Sequence, residues 1–239
     1  MNRSSVKETL LQTYPHRVEL HAHTSPVSAC SEISPQMMAE IYKEKRYDAV
    51  VVTNHFWHTS KDAKTYVNKY MEGYQQTKEA GEQLGISVLL GAEIRFTENC
   101  NDYLLYGVTS EMLEEIYDLL PYGLGQFRST FPLENSVLIH AHPFRDGVTL
   151  VSADLLDGVE VFNMHPGHNS RIALASKYAA KFDFSIITAG SDFHHLNRDH
   201  EAGAALRSKF LPNDSFELAS LLKKGDYLLE ISDSNLIIP

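Results

Sequence analysis

The stretch "VELHAHTSP", residues 18–26, sets an apolar strand against two histidines. Val18 and Leu20 alternate as in a strand with one face in a core, and the strand ends on His21 and His23. Residues two apart on an extended chain project to the same side, so both imidazoles point one way. Outward from this stretch the chain alternates strand and helix. "YDAVVVT" (47–53) is a valine-rich run of the kind buried on both faces of a parallel sheet. "ISVLLGAEI" (86–94), "DYLLYGV" (102–108), "SVLIHAH" (136–142), "DGVEVFN" (157–163) and "FSIITAGSD" (184–192) complete a series of seven strands.

Helices separate them. Ser34 followed by Pro35 is a cap and first-turn proline opening a helix through "QMMAEIYKEKR". A polar helix spans 61–84 and stops at Gly85; others cover 110–120, 169–182 and 214–225, the last closed by Gly225. "PYGLGQF" (121–127) reads as a loop, and "DYLLEI" (226–231) as a final edge strand. Strand–helix repetition predicts an α/β fold of parallel βα units. Seven strands suggest a closed or nearly closed barrel, with an open doubly wound sheet as the alternative.

Composition narrows the function classes. With 239 residues, 43% of them hydrophobic, the chain can bury one sizeable core, and a single domain over 1–239 is expected. A formal net charge of −10 argues against nonspecific binding to long nucleic acid or to anionic membranes. Two cysteines, Cys30 and Cys100, make no disulfide framework, and Cys30 reads as a small buried residue. No apolar run has the length of a signal peptide or a membrane span, so a cytoplasmic location is expected.

The strand ends carry the chemistry. The first ends in His21 and His23, the second in Thr53-Asn54-His55, the third at Glu93, the fifth at His140-Ala-His142. His165 and His168 follow the sixth, and Asp192 and His194 end the seventh. In a βα barrel the C-terminal strand ends form one face, where active sites are built. Neutral imidazoles each bind one metal, and carboxylates can bridge two, so this face could hold two or three divalent ions. A lone histidine after a strand is usually a hydrogen-bonded loop residue; the recurrence over six strands is what points to metal.

The order HxHT…TNH…GAE…HAHPFR…VEVFN…GSDFHH, over about residues 18–200, resembles the PHP family of polymerase and histidinol phosphatase domains. The resemblance implies a distorted (β/α)7 barrel with up to three metals at the C-terminal face, hydrolysing phosphate esters. By position, His21, His23 and Asp192 resemble the ligands of a first metal, and Glu93 the carboxylate bridging it to a second. His142 matches the second metal's histidine, with His168, or else His165, as its partner. His55 and His194 match a third metal, and Glu32, in "SPVSACSEIS", takes the remaining position. Asn54 stands where the family commonly has Asp, which bears on hydrogen bonding around the ligands.

The implied chemistry is attack by a metal-bound hydroxide at a di- or trinuclear site of Zn, Mn or Fe, on a small phosphorylated metabolite or nucleotide. Glu93, Asp192, His194 and Arg145 are the expected catalytic residues. Arg145 and Arg198 are expected to hold substrate phosphate, and Arg95 less so, because a guanidinium fork matches phosphate oxygens. His195 and His200 are candidates for proton donation, although a loop role fits each, and His140 either lines the pocket or packs in the barrel. Phe56, Trp57, Tyr106, Phe127 and Phe144 are candidate pocket aromatics. The competing readings are a histidinol-phosphate phosphatase, a non-enzymatic metal-binding domain, and an amidohydrolase, for which no lysine ends a strand. Oligomeric state stays open.

Overall fold

The computed structural model describes residues 3–196, 203–232 and 235–239. In chain order its elements are α1 (Arg3–Thr13), β1 (His16–Ala22), α2 (Pro35–Glu44), β2 (Ala49–Val52), β3 (His55–Trp57), α3 (Ala63–Leu84), β4 (Ser87–Arg95) and β5 (Tyr103–Tyr106). There follow α4 (Ser110–Leu119), α5 (Gly123–Thr130), β6 (Val137–His140), β7 (Gly158–Asn163), α6 (Ile172–Lys181), β8 (Ile186–Gly190), β9 (Ala204–Ser208), α7 (Ser215–Lys224), β10 (Tyr227–Ile231) and β11 (Asn235–Ile237). Local signals set the helix ends, with Ser34, Gly85 and Gly225 in the expected places. Ser34 Oγ accepts from Met37 N–H ahead of Pro35, Asp62 caps α3 and Asp214 caps α7. Gly85 and Gly225 take the left-handed conformation that ends α3 and α7. No helix among the described residues is long and apolar enough to cross a membrane.

The strands form one curled sheet in the order β11-β10-β9-β1-β2-β4-β5-β6-β7-β8, with β3 alongside β4. The stretch after β8 returns to β1: Asp192 N–H donates to His21 O at 2.8 Å, and His23 N–H to Phe193 O at 3.1 Å. Seven strands thus surround the core, closed at the C-terminal end of β1. At the other end, His16–Val18 pair with the antiparallel β9. The barrel is therefore distorted, as expected.

Its strands are not all parallel. β5 runs antiparallel to both β4 and β6. The link from β4 to β5 is too short for a parallel crossover, which needs a dozen or more residues. This reversal puts the start of β5, with Asp102, on the face where its neighbours end. Three other expectations change. Part of "PYGLGQF" lies in α5, β10 is covered by β11 and so is no edge, and His55 lies in a short strand. That strand pairs His55 with Glu93 and Trp57 with Arg95 in parallel register along β4.

Leu20, Val51, Leu104, Tyr106 and Ile139 fill the interior together with Leu218 and Leu222 of α7. Gly190 sets the approach of β8: a Cβ there would lie 2.4 Å from His21 Cβ and 2.5 Å from Glu160 Oε1. The pairing of β1 with β2 slips between Glu19 and Ala22. Glu19, fully buried, fills that irregularity by accepting from the N–H groups of Leu20 (3.0 Å), His21 (2.9 Å) and Ser191 (3.0 Å). It ties the irregular end of β1 to β8. Glu19→Ala strands three buried donors, and we expect a loss of about 3 kcal/mol or more of stability. Calorimetric melting checks this; a loss under about 1 kcal/mol would show that the backbone finds other acceptors.

Candidate metal centre

His21 and His23 reach the barrel mouth with their outer nitrogens held from behind. His21 Nδ1 lies 2.9 Å from Glu160 Oε1, and His23 Nδ1 3.1 Å from Ser28 Oγ. Glu160 Oε2 also accepts from His142 N–H and Asn163 Nδ2, each at 3.0 Å. Partners on Nδ1 leave each Nε2 facing inward as a ligand lone pair. Asn54 Oδ1 accepts from Thr24 N–H and Ser28 Oγ while its Nδ2 donates to Thr24 Oγ1. The amide therefore keeps the acceptor role that an aspartate would have there.

Four separations at the centre are equal. His21 Nε2 is 3.4 Å from Glu93 Oε1 and 3.4 Å from Asp192 Oδ1. His23 Nε2 is 3.4 Å from Glu93 Oε2 and 3.4 Å from Asp192 Oδ1. Neither Nε2 makes a hydrogen bond, though both are buried. Two ligand atoms on one tetrahedral ion, with bonds near 2.1 Å, sit about 3.4 Å apart. The residues fit a divalent metal. Glu93 spreads its oxygens over different partners: Oε1 also lies 3.1 Å from His142 Nε2, and Oε2 2.6 Å from His55 Nδ1. Three groups of converging ligand atoms result, His21/His23/Asp192, His21/Glu93/His142 and His23/His55/His194, each within 4.8 Å.

His168 Nδ1 lies 3.1 Å from Asp192 Oδ2, and its ring meets that of His142 edge-on. His165 stacks on His168 at 3.8 Å, with Nδ1 accepting from Gly167 N–H. Of the two histidines, His168 is the one whose ring reaches both Asp192 and His142. Glu32 is not brought to the centre. It is exposed, and its carboxylate accepts from Leu196 N–H. Arg198 and His200 lie outside the described residues.

Charge at the centre is organised around its carboxylates. Burial opposes ionisation of Glu93, yet His55, His21 and His142 hold its carboxyl well below the usual range. Asp192 is likewise held low against its burial, chiefly by His21. Burial works against a charge on His21 too, but Asp192, Glu160 and Glu93 raise it well above the ordinary imidazole value. His23, beside His194 and His55, is pushed the other way, with burial the largest cause. The carboxylates demand positive charge in this spot, which a protonated imidazole or a divalent cation supplies.

The centre opens into a cleft of about 320 Å³ lined by Cys30, Trp57, Arg95, Arg145, His168 and His195 among others. Arg95 does not pair with Glu93. It binds Asp102 through Nε and Nη2, both at 2.7 Å, and lies 4.3 Å over the Trp57 ring. Asp102 is raised by burial and by Glu93, with Arg95 opposing. Among the candidate pocket aromatics, Phe56, Tyr106 and Phe127 are core residues, Phe144 packs on Tyr178, and Trp57 faces the cleft. His140 packs as a neutral ring against Tyr103, its pKa lowered to about 3 by burial.

Cys30 is exposed, contrary to expectation, and its thiol meets His55 and His194. Burial opposes ionisation of that thiol, but the two imidazoles bring its pKa down to about 6.

Among solved structures, the chain is similar to a "putative metal-dependent phosphoesterase" from Bifidobacterium adolescentis, with TM-score 0.51 and 15% identity over 87% of this chain and 96% of that one. It is also similar to a two-domain protein from Bacteroides vulgatus containing a predicted PHP-like metal-dependent phosphoesterase, with TM-score 0.59 and 14% identity over 91% of this chain and 65% of that one. At such identities the likeness is one of fold. No match was found among curated proteins. The sequence model of the PHP domain matches residues 19–234, nearly the whole curled sheet with its histidine-bearing strand ends, and the chain belongs to the PHP domain family.

Proposed function

We propose that this chain is a metal-dependent phosphoesterase acting on a small phosphorylated metabolite or nucleotide. The observation that carries the reading is the set of four 3.4 Å separations between buried imidazole nitrogens and the Glu93 and Asp192 oxygens. His21, His23, Glu93 and Asp192 would hold one ion, with Glu93, His142 and His168 toward a second. Divalent metals bound there supply Lewis acidity and lower the pKa of water toward about 7. Zn, Mn and Fe all suit mixed imidazole and carboxylate ligands.

The remaining residues bind and orient. Arg145 is partly exposed at the cleft, and its guanidinium stands 4.0 Å from Asp102, too far for a hydrogen bond. Its fork is available to a substrate phosphate. Arg95, held twice by Asp102 and stacked on Trp57, forms a fixed positive wall beside it. His194, beside His55 at the outer edge of the centre, would stand toward a third ion.

Removing Arg145 should weaken substrate binding more than turnover. Loss of charge-assisted bonds worth about 1.5–3 kcal/mol corresponds to a rise in KM of about 10–100-fold for Arg145→Ala. Steady-state kinetics with an aryl phosphate would check it, and an unchanged KM would remove Arg145 from the phosphate site.

The test of the function is a hydrolysis screen over phosphorylated metabolites and a generic aryl phosphate, paired with metal analysis. Turnover should stop on chelation and return with added divalent metal. A protein that carries metal and cleaves no phosphate ester overturns the reading.

A further inference from the structure

The geometry points to Cys30 as a thiolate metal ligand, completing with His55 Nε2 and His194 Nε2 a divalent-metal site at the outer edge of the centre. The inference rests on the metal-centre reading above and concerns which residue closes its third position. The Nε2 atoms of His55 and His194 are 3.5 Å apart. Two imidazole lone pairs repel unless a proton or cation lies between them, and this spacing is again that of two ligands on one tetrahedral ion. The Cys30 thiol contacts both rings. Next to them the His23 ring packs on both imidazoles, with its own buried Nε2 facing Glu93 and Asp192.

The loop between β1 and α2 explains why Cys30 and not Glu32 arrives there. Ser31 Oγ donates to His23 O, Glu32 N–H donates to His194 O, and Ser25 N–H donates to Ile33 O. These bonds pin the loop over the His194 backbone. Residues on either side of the pinned Ser31 then diverge. Cys30 falls over the imidazoles, and the Glu32 carboxylate turns outward to Leu196 N–H. On binding, Sγ gives up its proton to solvent and donates an electron pair to the metal, with no redox change. A soft sulfur donor beside two imidazoles selects Zn or Fe over Mn at this position, whereas the carboxylate-rich inner positions take any of the three.

The test uses full-length protein reloaded with Co(II), whose thiolate complexes show a sulfur-to-metal charge-transfer band in the near ultraviolet. Wild type should show the band. Cys30→Ser should lose it together with about one equivalent of bound metal. Cys100→Ser, which changes the other, exposed cysteine, should keep both. A readout on wild type alone avoids any dependence on the variant folding: with metal bound, one of the two thiols should react with a disulfide reagent, and after chelation both should. Cobalt bound without the band, the band surviving in Cys30→Ser, or both thiols equally reactive with metal present each overturn Cys30 as a ligand and leave the phosphoesterase reading standing. A protein that binds no metal at all overturns both.

Discussion

Glu93→Gln should lower turnover by at least about 10³-fold, about 4 kcal/mol of transition-state stabilisation, and leave the fold intact. The carboxylate is almost fully buried, with Oε1 against His21 and His142 and Oε2 against His23 and His55. Each oxygen meets a different pair of imidazoles, so the carboxylate would touch more than one cation. Glutamine keeps one such oxygen. Its NH2 has no lone pair to give, so one side of the bridge is lost in either orientation. The charge between the two ions proposed there would fall by one unit, and their repulsion would be less compensated. A structural role through Arg95 is not at stake, because that guanidinium is bound to Asp102. Aryl phosphate turnover, metal content and thermal melting of the variant are the measurements. Near wild-type turnover with full metal content would remove the bridging role.

The pattern of candidate ligands was legible because strand alternation is local. His21 and His23 could be read as a pair from their spacing alone, and parallel topology predicted that Glu93, His142 and Asp192 would meet them. What stayed hidden depends on non-local pairing. "DYLLYGV" has the same apolar alternation in either direction, so the only trace of the reversal of β5 in the sequence was the short link from the strand before it, and Asp102 was not seen as a residue of the mouth. Glu160 reads as a mid-strand residue in "DGVEVFN", yet it orients His21 and holds the His142 backbone. A charged residue within an otherwise apolar strand was the available signal, and Glu19 carries the same one. Both are fully or nearly fully buried. The aromatics failed for a related reason. Phe56 and Trp57 are adjacent in β3 and face opposite ways, so one enters the core and the other the cleft.

Cys30 and Glu32 show the limit of spacing in loops. They too are separated by two residues, but the segment between β1 and α2 is not extended. Its direction is set by Ser31 and by backbone bonds to β1 and to the stretch after β8. The site also uses backbone that sequence does not announce. His142 and Asp192 have φ of 32° and 52°, in the left-handed region where side chains other than glycine cost of order 1–3 kcal/mol. Glu160 holds the first through its N–H, and β1 holds the second through Asp192 N–H to His21 O. Asp192 is thereby turned back toward the imidazoles it would share a metal with.

Asp192→Asn should empty the position shared with His21 and His23 and lower turnover by at least about 10²-fold, about 2.7 kcal/mol. Asp192 Oδ1 faces both Nε2 atoms at 3.4 Å, while Oδ2 accepts from Asn163 Nδ2 at 3.2 Å and lies 3.1 Å from His168 Nδ1. An asparagine cannot serve both sides. With its NH2 toward the histidines it donates into the lone pairs that a metal needs. With its NH2 toward Asn163 two donors meet in a buried site, at a cost of about 1–3 kcal/mol. Glu160→Gln, one step further back, keeps all the ligands and disturbs only the orientation of His21. It should weaken metal affinity by about 10–100-fold without abolishing binding. Calorimetric metal titration of the two variants beside wild type distinguishes them. Equal affinities for Asp192→Asn and wild type would mean that the carboxylate organises the histidines electrostatically and does not itself touch the ion.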